Sequence, residues 1–99
     1  MNDHVLDHTG IPIEVEAFHP GEYLLEEIEH RKLIKKDVAA QLGILPHHLS
    51  DIFAGKRHIS ARLAVKLEKA LGISADYWIG LQTNFDLQLA REEDEKALV

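Results

Sequence analysis

"DVAAQLGILPHHLSDIFAGKR", Asp37 to Arg57, reads as two short helices meeting at a glycine, the second followed at once by paired cations. Val38, Ala39 and Leu42 recur at helical spacing, and Gly43 can take the left-handed conformation that ends a helix. After the turn Gly43-Ile44-Leu45, Pro46 suits a first helical position, Leu49, Ile52 and Phe53 line one side, and Gly55 closes the element. The reading predicts one helix over Lys35 to Leu42 and another starting at Pro46.

Outward from this pair, "HPGEYLLEEIEHRK" predicts a helix from Pro20 to about Lys32, with acids in its first turns and Leu24, Leu25 and Ile28 on one face. Ser60 starts a fourth helix, in which Leu63, Leu67, Ala70 and Leu71 share a side, and Gly72 stops it. Ser74 opens a fifth from Ala75 to about Lys96. At about 1.5 Å per residue that helix is roughly 33 Å long, more than a small core requires. Part of its stripe, Trp78, Leu81, Phe85, Leu87 and Leu89, is therefore expected at the interface of a homodimer. Residues 1–18 lack helical periodicity; "IPIEVEAF" alternates apolar and acidic residues over Ile11, Ile13, Val15 and Ala17, as in a short edge strand or extended arm. The expected fold is all-α: an N-terminal arm over 1–18, then a five-helix domain over 19–99.

Ninety-nine residues suit one domain, and 45% hydrophobic with 28% charged residues is a globular composition. The chain has no cysteine, which excludes disulfides, thiolate zinc sites and cysteine nucleophiles and fits a reducing cytoplasm. No apolar run approaches the roughly 20 residues of a membrane span, and "MNDHVLDHTG" lacks the features of a signal peptide, so no membrane partner is expected. No H-E-x-x-H, G-x-S-x-G or phosphate-loop pattern occurs, which leaves an enzyme reading without nucleophile, base or cradle. His4 and His8 stand four apart around Asp7, but in a segment with little helical character; neither metal nor cofactor is expected. His47 and His48 fall on different sides of a helix and do not share a site.

Formal charge is −6, yet it is unevenly spread. From Arg31 to Lys69 nine cations face three acids, a local balance of +6, while the remainder, with two cations and fourteen acids, sums to −12. A basic middle between acidic ends suits a polyanion, because the local field matters more than the total. A solvated lysine-rich surface is the plainer account of the same charges.

Two helices across a short glycine-bearing turn form a helix-turn-helix, in which the second helix enters the DNA major groove. Ala39 is small where the pair must approach, and Leu42, Leu49 and Ile52 fill the wedge between them. Spacing alone also fits an ordinary helical hairpin. The run from Leu33 to Ser74, "LIKKDVAAQLGILPHHLSDIFAGKRHISARLAVKLEKALGIS", resembles the Xre, or lambda-repressor-like, helix-turn-helix domain, with Ala39, Gly43 and Gly55-Lys56-Arg57 in the family's places. "HPGE" at His19 to Glu22, and "YWIGLQ" at Tyr77 to Gln82 followed by Phe85-Asp86-Leu87, are similar to the flanks of HigA-type antitoxins, the virulence-associated protein I group.

The resemblance implies a dimeric repressor that binds an inverted repeat of double-stranded DNA in its own operon's promoter and neutralises a RelE-like mRNA-cleaving toxin. It assigns base contacts to Pro46, His47, Ser50 and Asp51 and phosphate contacts to Lys35, Lys36, Lys56 and Arg57. The division is physically sound, since cations at helix starts and loops anchor the duplex while groove-facing side chains choose the sequence. None of the four base readers is the guanine-clasping arginine, which points to modest operator affinity; Asp51 can accept from a cytosine amino group, most easily if paired with Arg57. A solitary regulator without a toxin, and a protein-binding module whose DNA surface has degenerated, are the alternative readings.

Overall fold

A computed structural model of the chain describes residues 5–6, 12–13 and 17–97. Five helices carry the fold: α1 Pro20–His30, α2 Lys35–Leu42, α3 Pro46–Phe53, α4 Ala61–Leu71 and α5 Ala75–Ala97. In the arm, β1 Val5–Leu6 pairs antiparallel with β2 Pro12–Ile13, Val5 opposite Ile13 and Leu6 opposite Pro12. The rest of the alternating segment, Ile11 and residues 14–16, lies outside the described residues, as do His4 and His8.

Local chemistry explains where the helices start and stop. Ser60 accepts the Leu63 N–H at 3.1 Å and so caps α4. His19 caps α1 in the same way, its Nδ1 accepting the Gly21 N–H at 2.9 Å, with Pro20 at the first helical position. Helix α2 ends where Gly43 turns left-handed at φ 69°, and the N–H groups of Gly43 and Ile44 return to the carbonyls of Ala40 and Ala39. Helix α1 stops at His30 rather than Lys32. Lys32 itself takes a left-handed φ of 57°, so that its N–H and that of Leu33 close on the carbonyls of Glu29 and Ile28.

One core joins all five helices. Leu24 and Ile28 of α1, Val38, Ala39 and Leu42 of α2, Leu49 and Ile52 of α3, Ile59, then Leu63, Ala64, Leu67 and Leu71 of α4, and Trp78 of α5 are all buried. Leu25, expected inward, is only half-buried. Arg31 ties the first helix to the end of the fourth, its guanidinium donating to the Leu71 carbonyl at 2.8 Å. Helix α5 contributes little to this core beyond its first two turns: within it only Trp78 and Gln82 are buried, and residues 90–97 are all exposed. Ala17 donates its N–H to Gln88 of α5. Among the described residues no helix is long and apolar enough to cross a membrane.

Candidate nucleic-acid interface

Helix α3 is held by its inner face and open on its outer one. Leu49 and Ile52 are buried against α1 and α2, whereas Pro46, His47 and Ser50 are exposed and Asp51 and His48 are half-buried. Two contacts fix its depth. Ala39 of α2, with no side chain beyond Cβ, is 1% exposed beside it. Gly21 of α1 lies so near that a Cβ there would stand 1.8 Å from the Ile52 carbonyl oxygen, closer than any atom can sit. The "HPGE" run thus has a physical role in placing α3: histidine caps, proline starts the helix, and glycine admits the neighbouring backbone.

Two cations, one from each neighbouring segment, touch α3. Lys35, at the start of α2, sits with its Nζ 5.7 Å from the Phe53 ring centroid, a cation–π contact at the far end of α3. Arg57, beyond α3, reaches back to Asp51, its Nε 3.5 Å from Oδ2. Lys36 and Lys56 are exposed on the same two segments. The Asp51–Arg57 pair is solvent-accessible on both sides and contributes little to stability. It sets a positive charge beside the Asp51 carboxylate. Ser50 already donates its hydroxyl to the Pro46 carbonyl at 3.2 Å, which leaves its oxygen free as an acceptor.

The assigned dimer residues fare differently. Trp78 has no exposed surface and stacks at a tilt on Tyr23, centroids 5.3 Å apart, so it belongs to the protomer's own core and cannot meet a partner. The expectation for that residue is corrected: the first turns of α5 cover α1 and α4, and the stripe is core where it begins. Leu81 is half-buried against the same core, and Phe85 packs edge-on to His19, centroids 5.0 Å apart. Leu87 and Leu89 are 41% and 43% exposed.

Two residues of this region carry weight that the sequence reading did not give them. His19 caps α1 and lies against Gly55, just beyond α3; its signal was its place before Pro20. Gln82 is 5% exposed and bonds the loop after α3; its signal was its position four after Trp78, on the inward side of α5. Leu45, the residue that precedes α3, is 62% exposed, an apolar side chain at the leading end of that helix.

A helix-turn-helix family model matches residues 24–78, which spans α2 and α3 together with the core built on them. Virulence-associated protein I of Dichelobacter nodosus is 34% identical over 86 residues, covering 86% of this chain and 79% of that protein. An addiction module antidote protein of the HigA family from Coxiella burnetii is 30% identical and superimposes with a TM-score of 0.76, covering 85% of this chain and 92% of that one. The Pseudomonas aeruginosa antitoxin HigA, solved with the higBA promoter, is 28% identical with a TM-score of 0.76, covering 84% and 91%. The chain belongs to the Xre-like helix-turn-helix family, in the group of virulence-associated protein I and the HigA-type antitoxins.

Proposed function

We propose that this chain is the antitoxin of a type II toxin–antitoxin module: a homodimer that represses its own operon by binding an inverted repeat and neutralises a RelE-like mRNA-cleaving toxin by binding it. The observation that carries the DNA half is the posture of α3, anchored through Leu49 and Ile52 while Pro46, His47 and Ser50 are exposed, with Lys35 against Phe53 and Arg57 against Asp51 of the same helix. In this reading Pro46, His47, Ser50 and Asp51 meet base edges, and Lys35, Lys36, Lys56 and Arg57 grip phosphates. A single α3 reads only a half-site; two of them a helical turn apart multiply contacts and selectivity. Leu87 and Leu89, with the accessible parts of Leu81 and Phe85, form the dimer seam.

The toxin half draws on the relatives, antitoxins by name, and on charge. The exposed acidic end "REEDE", Arg91 to Glu95, suits a basic RNA-cutting partner. In this reading residues 1–18 are an N-terminal arm and residues 19–99 the helix-turn-helix domain.

Fluorescence anisotropy with the chain's own promoter fragment tests the DNA half. With six to ten phosphates contacted per dimer, affinity falls about 10³- to 10⁵-fold between 50 and 200 mM salt. A nearly flat salt dependence contradicts it. Co-expression with the neighbouring open reading frames, read as rescue of growth and as co-purification, tests the toxin half; rescue by no neighbour leaves a solitary regulator.

A further inference from the structure

The segment 55–59, between α3 and α4, carries Lys56 and Arg57 and has no helix or strand of its own. Left to itself, such a connection would let two long cations sample many positions, and binding DNA would bear the entropy of ordering them. Three groups from elsewhere in the fold hold it instead. Gln82 of α5 accepts the buried Ile59 N–H on its Oε1 at 2.7 Å. That donor fixes which end of the amide is oxygen, so the two Nε2 hydrogens are left for Asp86 Oδ1 at 3.0 Å and His58 Nδ1 at 3.1 Å. At the other end, His19 lies beneath Gly55, where a Cβ would meet the ring at 3.7 and 3.8 Å. The Gly55 N–H closes on the Ile52 carbonyl at 3.1 Å while Gly55 itself takes a left-handed φ of 77°.

An apolar side chain at position 82 would fill this inward site without the cost of desolvating an amide. The amide is used fully, however, and two of its three partners lie in the loop. We infer that Gln82 is a positioning residue for the DNA grip: through Ile59 and His58 it fixes the loop so that Lys56 and Arg57 are preorganised for phosphate. Their own side chains do not supply this: among the described residues the Arg57 side chain pairs with Asp51 alone, and Lys56 is exposed. The inference rests on the DNA-binding reading above. It makes α5 a strut for the interface as well as a source of partner contacts.

The test uses the full chain as Gln82→Met, which keeps shape but loses the strong acceptor and both donors. In Gln82→Met the Ile59 amide exchanges with deuterium about tenfold faster than in the parent, while the Leu67 amide in α4 is unchanged. On promoter DNA the log–log salt slope becomes shallower by about 0.9 for each phosphate released, and if all four loop cations of a dimer let go the loss of affinity between 50 and 200 mM shrinks by roughly 150-fold. A general loss of folded protein weakens binding without changing this slope. His58→Ala, at a side chain 77% exposed, removes the second tie without touching the core and reduces the slope by less. Parental Ile59 exchange in Gln82→Met, or a parental slope in both Gln82→Met and His58→Ala, overturns the inference while leaving the DNA reading intact. A flat slope for the unmodified chain overturns both.

Discussion

Gly21→Ala probes the contact that sets the depth of α3. An ideal Cβ at Gly21 would lie 1.8 Å from the Ile52 carbonyl oxygen and 2.7 Å from its carbon. A carbon beside a carbonyl oxygen requires about 3.3 Å, so the two helices must part by about 1.5 Å at this point. The obstacle is main chain, which has no rotamer to change, and this places the substitution toward the upper end of the roughly 1–3 kcal/mol that overpacking costs. Alanine recovers part of that, up to about 1 kcal/mol in a helix interior and less in a first turn. A net loss of about 1–2 kcal/mol remains, which for a domain of this size lowers Tm by about 5–15 °C.

The same carbonyl accepts the Gly55 N–H at 3.1 Å, so a displaced Ile52 also loosens the entry to the cation-bearing loop. Thermal melts followed by circular dichroism, with urea titrations to check that the m-value is unchanged, read the stability; anisotropy on promoter DNA reads the loop. A melt within about 2 °C of the parent, less than half the shift that 1 kcal/mol produces, refutes the reasoning. It would mean that α1 and α3 are not pressed together through Gly21.

Replacing both Lys56 and Arg57 with alanine weakens binding to all DNA sequences alike and lowers the salt slope by about 0.9 for each phosphate no longer neutralised, whereas His47→Ala changes which operator is preferred; a sequence-dependent loss for the first variant would contradict its phosphate role. Asp51→Asn frees Arg57 and removes a negative charge from the reading face, so non-specific DNA is bound more tightly and with a steeper slope, while Tm moves by no more than an exposed pair allows, about 1 kcal/mol or less; weaker non-specific binding would show that the pair orders Arg57 for phosphate. Burial, reinforced by the nearby His58, holds the His19 pKa below its usual 6.5, against the opposing pull of the Arg57 backbone. The unfolded chain therefore takes up a proton that the folded one resists, and stability that is complete above pH 6.5 declines as pH falls through the folded value, by at most about 1.4 kcal/mol per pH unit. His19→Asn, which keeps a capping acceptor without titrating, flattens urea-derived stability between pH 7.5 and 5.5 relative to the parent; parallel profiles would remove His19 as the cause.

Much of the architecture was legible because it rests on signals that act within a few residues. Gly43 and Gly72 mark helix ends through their left-handed φ, Ser60 marks a start through its hydroxyl, and Leu49 and Ile52 mark the inward side of α3 through their spacing. The misjudged positions depend on what lies across the fold. Lys32 ends α1 early because the carbonyls of Ile28 and Glu29 are satisfied by a turn that no glycine announced. Trp78 begins a stripe that periodicity cannot divide into core and interface; the division follows from where α1 and α4 cover it. Gln82 escaped notice because a polar residue on an apolar face gains meaning only from its partners, Ile59, His58 and Asp86, the nearest of them four residues away and the loop pair more than twenty.

The sign of the net charge loses its paradox when placed on this fold. Binding a polyanion needs cations whose geometry is set before DNA arrives, and the two cation-bearing segments obtain theirs from different sources. Lys35 and Lys36 open α2, where the helix backbone fixes their spacing and the partial positive charge of the helix start adds to theirs. Lys56 and Arg57 lie outside any helix and depend on Gly55, His19 and Gln82. The acids are concentrated elsewhere: Glu22, Glu26, Glu27 and Glu29 on α1 and the run from Glu92 to Glu95 at the end of α5. With screening over about 10 Å at ordinary ionic strength, acids beyond that distance do little to the field at a given cation, whereas Glu22, next to the Gly21 that abuts Ile52, stands within it. Asp51, on α3 itself, is the acid engaged by Arg57. Local placement, rather than the balance of −6, therefore decides whether this surface attracts DNA.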